Sequence, residues 1–181
     1  MGITYAVASN IVVQGYVPLP DKWVKYGLDE AKLIARQSKD PSTQVGAAIM
    51  RPNKTIASKG YNGFPRHIED KSELYLDREE KYKRVIHAEM NAILDATERL
   101  DGYTLFTWPF LTCERCAVHV IQSGISAVIA PDVSDEHKKR WSGSLNLALE
   151  LYEEAGVAVA LTEPVSPEEL KSQSALAQLL K

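Results

Sequence analysis

Only two cysteines, Cys113 and Cys116, occur in 181 residues, too few for the disulfide frameworks that stabilise small secreted folds. No apolar run approaches the length needed to span a bilayer. The opening stretch Met1-Gly2-Ile3-Thr4-Tyr5-Ala6 lacks both the basic start of a signal peptide and the Ser/Thr of a myristoylation motif. A soluble, cytoplasmic protein with no membrane partner is the expectation. A basic excess is missing too: a net charge of -3 and an isoelectric point of about 5.8 argue against binding a long nucleic acid. A single phosphate remains within the means of one arginine or a helix N-terminus. There is no internal repeat or low-complexity tract, and the length suits one domain.

What is present alternates between helical and extended patterns. Trp23, Tyr26, Ala31, Leu33 and Ile34 have amphipathic helical spacing after Asp21, and Asp40-Pro41 stops that helix. Val45–Met50 reads as a buried strand, Pro52-Asn53-Lys54 as a turn and Thr55–Gly60 as its hairpin partner. Residues 62–85 are rich in charge and open on Gly63-Phe64-Pro65-Arg66; a segment this long reads as a lid, a binding loop or a solvated surface loop, with a short helix over Asp77–Tyr82. Further helices are expected around Ala88–Leu94, Cys113–Ser123 with Gly124 as C-cap, and Ser142–Ala155. Strands are expected at Tyr103–Thr107, Ile125–Ala130 and Val157–Leu161. Ser166-Pro167-Glu168-Glu169 has the signature of a helix start. The division that follows is an N-terminal extension over 1–20, one α/β domain over 21–162 and a C-terminal helix over 163–181.

His87-Ala88-Glu89 and Cys113-x-x-Cys116 both fall at predicted helix starts, where unpaired N–H groups and a partial positive charge favour thiolates. His87, Cys113 and Cys116 make three soft donors, the number a catalytic zinc site keeps while leaving its fourth position to water. Glu89, not needed as a ligand, is then available as a general acid and base. Taken singly, each piece has another reading. The thiol pair fits a redox couple, half of a structural zinc site or packed core thiols, His87 an ordinary polar residue, and Glu89 a solvated carboxylate. Their joint spacing is that of zinc deaminases, in which the metal activates water.

At this point the chain resembles the zinc-dependent cytidine deaminase superfamily, and its deoxycytidylate (dCMP) deaminases above all. The resemblance rests on Ser38–Ala47, Gly60–Pro65, His87–Ile93, Cys113–Ala117 with Ile121–Ile125, and Glu154–Val157, in that order, and spans about Asp21 to Leu161. It implies a three-layer α/β/α fold around a central five-stranded mixed sheet. It also implies hydrolysis of dCMP to dUMP and ammonia, supplying dUMP for dTMP synthesis, with one catalytic zinc on His87, Cys113 and Cys116. Glu89 would carry protons between the water, ring N3 and the departing amine. The main chain of Ala88 would touch the base and Asn62 the sugar or its surroundings; Arg66 is nominated for the phosphate and Trp108 for stacking on the base. Homo-oligomerisation as a dimer or hexamer, and control by dCTP and dTTP with magnesium, belong to the same resemblance. One position departs from it: the family has proline immediately before the first cysteine, and this chain has Thr112. Deamination of another cytosine nucleotide, a C5-modified dCMP or adenosine in tRNA, and an inactive zinc-stabilised binding module, are the competing readings.

Overall fold

The computed structural model describes residues 19–132 and 135–170, with the side chains of 135–141 left out of the description. The expected N-terminal extension up to residue 18 and the chain beyond 170 lie outside the described residues. Five strands form one mixed sheet in the order β2-β1-β3-β4-β5. β1 (Gly46–Met50) runs antiparallel to both β2 (Ile56–Tyr61) and β3 (Thr104–Trp108), while β4 (Ala127–Pro131) and β5 (Ala158–Thr162) continue parallel to β3. The helices are α1 (Asp21–Ala35), α2 (Ser72–Leu76), α3 (Arg78–Arg84), α4 (Ala88–Asp95), α5 (Glu114–Gln122) and α6 (Asp135–Glu154).

Alternation along the strands splits the apolar residues into two cores, one on each face. Ala48 and Met50 of β1, Phe106 and Trp108 of β3 and Ile129 of β4 pack with Val24, Ala31 and Ala35 of α1. Ala47, Ile49, Leu105 and Val128 point the other way and pack with Ala88 and Ala92 of α4, Ala117 and Val120 of α5, and Ala148 and Tyr152 of α6. The result is the three-layer α/β/α arrangement expected from the sequence. The final helix starts where its signature predicts: Ser166 Oγ accepts a hydrogen bond from the Glu169 N–H at 3.2 Å, and Val165 and Leu170 join the α1-side core.

Helix α4 is drawn onto β2 by small and polar residues rather than by bulk. A Cβ on Gly60 would sit 2.3 Å from both the Ala88 carbonyl oxygen and the Ala92 nitrogen, so only glycine lets the helix backbone approach this closely. Ser58 Oγ donates to the Ala92 carbonyl at 2.7 Å, and Asn91 Nδ2 donates to the Tyr61 carbonyl at 2.7 Å. This strapping sets where the first turn of α4 points.

The charged segment after β2 is more ordered than its composition suggests. Its neck is closed by an antiparallel bridge, with Ile86 N–H donating to Gly63 O at 2.8 Å and Gly63 N–H to Ile86 O at 3.1 Å. Asp77 caps α3, accepting from the Glu79 and Glu80 N–H groups. Helix α2 was not legible in the sequence. Phe64 and Tyr75 stack with centroids 4.1 Å apart, and Lys81 is buried against Asp40 at 3.2 Å. The segment therefore carries three buried side chains, Asn62, Tyr75 and Lys81, where a solvated loop would carry none.

Candidate metal centre and active site

His87 is the N-cap of α4 and Cys113 the N-cap of α5, both with extended backbone; neither cap makes a side-chain hydrogen bond to its own helix. Each side chain is thus free to point off its helix start, while Glu89 and Cys116 follow in the first turns. The first-turn N–H groups have no intrahelical partner and add partial positive charge at the same corner. The four residues that sequence reasoning grouped are brought together here.

His87 Nδ1 lies 3.5 Å from Cys113 Sγ and 3.3 Å from Cys116 Sγ. The three donor atoms lie within 4.8 Å of one another. An ion with usual Zn–S and Zn–N distances in tetrahedral geometry sets nitrogen and sulfur about 3.5 Å apart. The donors fit zinc in kind, in number and in spacing. Glu89 is 4% exposed and stands beside them without completing the set.

The electrostatics of the corner call for a cation. A hydrogen bond with Cys116, helped by His87, holds the Cys113 thiol down to about 4 against the effect of burial. The same contact with Cys113, together with burial, pushes the Cys116 thiol up. The two sulfurs in effect compete for one proton, which a metal ion replaces on binding. Its hydrogen bond with Cys113 raises the His87 pKa. Burial pushes the Glu89 carboxyl above its ordinary range, and His87 only partly opposes the shift.

Ala88 opens α4, fully buried, with its carbonyl against Gly60. The remaining nominated residues are used differently from expectation. Both amide hydrogens of Asn62 are taken, by the Thr43 carbonyl at 3.0 Å and Asp40 Oδ2 at 3.4 Å, and its Oδ1 accepts from Val45 N–H at 2.8 Å. Asn62 therefore fastens residues 40–45 to the end of β2. The Arg66 side chain is 85% exposed and reaches Asp95, the last residue of α4, at 3.5 Å. That end of α4 is about 10 Å along the axis from Ala88. Trp108 is a correction. Strand alternation turns it to the α1 side, where it is 4% exposed among Leu19, Val24 and Phe106, on the opposite face of the sheet from α4 and α5.

Beside the thiols stands a pair of which sequence reasoning singled out only one member. Thr112 and Tyr152 are both fully buried, and their side-chain oxygens are 2.7 Å apart. Thr112 was visible as a departure from pattern, whereas nothing in the local sequence of α6 marks Tyr152.

The fold and the corner together define an α/β/α protein with a histidine–dithiol metal centre built on two helix starts. The sequence model of the cytidine and deoxycytidylate deaminase zinc-binding region matches residues 21–131, and the chain belongs to this family. An uncharacterized deaminase from the luxG 3' region of Aliivibrio fischeri is 40% identical over 138 residues, covering 76% of this chain and 92% of that protein. Human deoxycytidylate deaminase is 36% identical over 144 residues, 75% of this chain and 77% of the human one. The crystal structure of the cyanophage S-TIM5 dCMP deaminase, in complex with dCMP and dUMP, superposes with a TM-score of 0.62 over 78% of this chain and 98% of that one. At 22% identity this last likeness speaks to the fold. The domain is thus a zinc-binding one. Among the described residues, no helix is long and apolar enough to cross a membrane.

Proposed function

We propose that the chain catalyses the hydrolytic deamination of dCMP to dUMP and ammonia, with one zinc held by His87 Nδ1, Cys113 Sγ and Cys116 Sγ. The observation that carries this reading is the buried Glu89 carboxylate beside a donor set it is not needed to complete. A structural site has no use for such a group. When bound, zinc supplies a water acidified to about neutral pH.

Glu89 accepts one proton of the attacking water on a carboxylate oxygen and delivers it to ring N3, then takes the remaining proton from the hydroxyl on C4 and passes it to the amino group, which leaves as ammonia as the C4 carbonyl forms. Its raised proton affinity suits this task, because the carboxyl must hold the proton between the two transfers. The unpaired N–H groups at the start of α4, beginning with Ala88, face the same corner and are suited to hold the base. Asn62 keeps the 40–45 segment in place around the sugar. Beyond the site, the same reading carries a cytoplasmic homo-oligomer, dimer or hexamer, tuned by dCTP and dTTP with Mg2+.

The test is loss of cytosine ultraviolet absorbance when purified protein meets dCMP, CMP, deoxycytidine, dCTP and C5-modified dCMP, run beside zinc analysis. Preferential turnover of dCMP with one zinc per chain is expected. One bound zinc with no turnover of any substrate points instead to the inactive module, and preference for a C5-modified nucleotide moves the assignment within the enzyme class.

A further inference from the structure

Thr112 occupies the position immediately before Cys113 where the family pattern has proline. Proline there fixes φ and removes backbone freedom from the unfolded chain. Threonine does neither, yet a metal ligand at the next residue has to be held to a few tenths of an ångström. The structure shows a substitute. Thr112 Oγ1 lies 2.7 Å from Tyr152 OH, and neither residue has any exposed surface.

Both ends of this bond are themselves anchored. On the loop side, Thr107 Oγ1 donates to the Phe110 carbonyl at 2.9 Å, and Leu111 is buried in the core beneath α5. On the helix side, Tyr152 lies near the end of α6, where Val157 N–H donates to the Tyr152 carbonyl at 2.8 Å and Gly156 turns the chain with φ of +71°. The Tyr152 ring shares one core with Ala88, Ala117 and Val120, the residues that seat α4 and α5. Its hydroxyl also feels the charges of Glu89, Cys116 and Cys113. Among the described hydrogen bonds the Thr112 N–H has no backbone acceptor, so proline at 112 would forfeit none.

We propose that the Thr112–Tyr152 hydrogen bond is the positioning element for the Cys113 sulfur in this chain, fixing by a side-chain bond to α6 what the family fixes by a proline ring. Tyr152 is a positioning residue that acts through Thr112 and Cys113. The inference rests on the zinc-site reading above.

Tyr152→Phe removes one oxygen and leaves the ring in place. Zinc affinity measured by competition with a chromophoric chelator is expected to fall by about 10-fold or more, the range typical of lost support to a ligand. The thiolate-to-metal absorption of the Co(II)-substituted protein should shift, and kcat should fall with KM little changed. In Thr112→Pro/Tyr152→Phe both hydroxyls are gone and the ring constraint is supplied instead, so zinc affinity and the Co(II) spectrum should return to wild type. Wild-type affinity and spectrum in Tyr152→Phe overturn the proposal. A double variant as weak as Tyr152→Phe alone also overturns it, because generic packing around the tyrosine would then be the cause. Should Tyr152→Phe fail to melt cooperatively, Thr112→Val breaks the same bond from the loop side, and undiminished zinc affinity there overturns the proposal. Failure of the underlying site reading has a separate signature: Cys116→Ala that binds zinc as well as wild type.

Discussion

The corner that holds His87, Glu89, Cys113 and Cys116 and the segment that runs from Gly63 to Ile86 adjoin in sequence but are built on opposite principles. In the corner, apolar packing of Ala88, Ala92, Ala117 and Val120 seats two helices, and the His87, Glu89, Cys113 and Cys116 side chains sit at their starts. In the segment most side chains are polar, and order comes from a closed neck, one aromatic stack and one buried ion pair. The corner's chemistry is separable from its stability, because a side chain there can change its proton without changing its packing. In the segment one ion pair is buried as part of the structure, so removing its charge is a change of stability.

That separation predicts the largest effect at Glu89. Glutamine matches the shape of the carboxyl but cannot carry the proton, so Glu89→Gln should keep its zinc and its melting behaviour while deamination drops by about 10²–10⁴-fold. Turnover of dCMP beside metal analysis measures both halves. Near wild-type activity would remove Glu89 as the proton carrier, and loss of zinc would show that shape and chemistry are not separable after all.

The opposite pattern is expected at Lys81, whose ammonium is 10% exposed and meets Asp40 at 3.2 Å and Ser42 Oγ at 3.3 Å. Lys81→Met leaves the Asp40 carboxylate buried without its cation, a loss of about 3–5 kcal/mol for a pair of this kind. Urea unfolding should register that loss while zinc stoichiometry at the corner is retained. A shift under about 1 kcal/mol would place this pair with exposed ion pairs, which contribute little.

The same contrast explains how much was legible beforehand. The donors were readable because His87-x-Glu89 and Cys113-x-x-Cys116 are local spacings, and helix starts convert local spacing directly into geometry. The strands were readable because Ala47 and Ala48, and likewise Leu105 and Phe106, feed opposite cores in simple alternation. The Lys81–Asp40 and Thr112–Tyr152 pairs span 41 and 40 residues, and no short-range pattern announces a partner so far away. Trp108 was misread for a related reason: proximity to Cys113 along the chain says nothing about which face of β3 the ring takes. The bonds that commit the Asn62 amide to Asp40, Thr43 and Val45 were likewise not legible, because those partners lie 17 to 22 residues away.

Gly60 tests the point where corner and sheet meet. A methyl group there would lie 2.3 Å from two backbone atoms of α4, so Gly60→Ala should push the helix start outward. A loss of about 1–3 kcal/mol in stability is expected, accompanied by weaker zinc binding because His87 moves with α4. Gly143→Ala is the control: it lies in α6 with nothing within 4 Å of the added carbon. It should stabilise the protein by about 0.5–1 kcal/mol through helix propensity alone and leave zinc affinity untouched. Equal effects at the two glycines would refute the close-approach argument.

The smallest effect is expected at Arg66, although guanidinium chemistry beside Gly63-Phe64-Pro65 invites a phosphate. In the structure that side chain is 85% exposed and turned towards Asp95 at 3.5 Å, at the far end of α4 from His87. An exposed pair of this length holds a long side chain only weakly. Arg66→Ala should therefore leave the melting curve superimposable on wild type and the preference for dCMP over deoxycytidine unchanged. If that preference instead collapses, Arg66 must leave Asp95 for the ligand. The charged segment would then take part in recognition, and the boundary between catalytic corner and structural segment would move to include it.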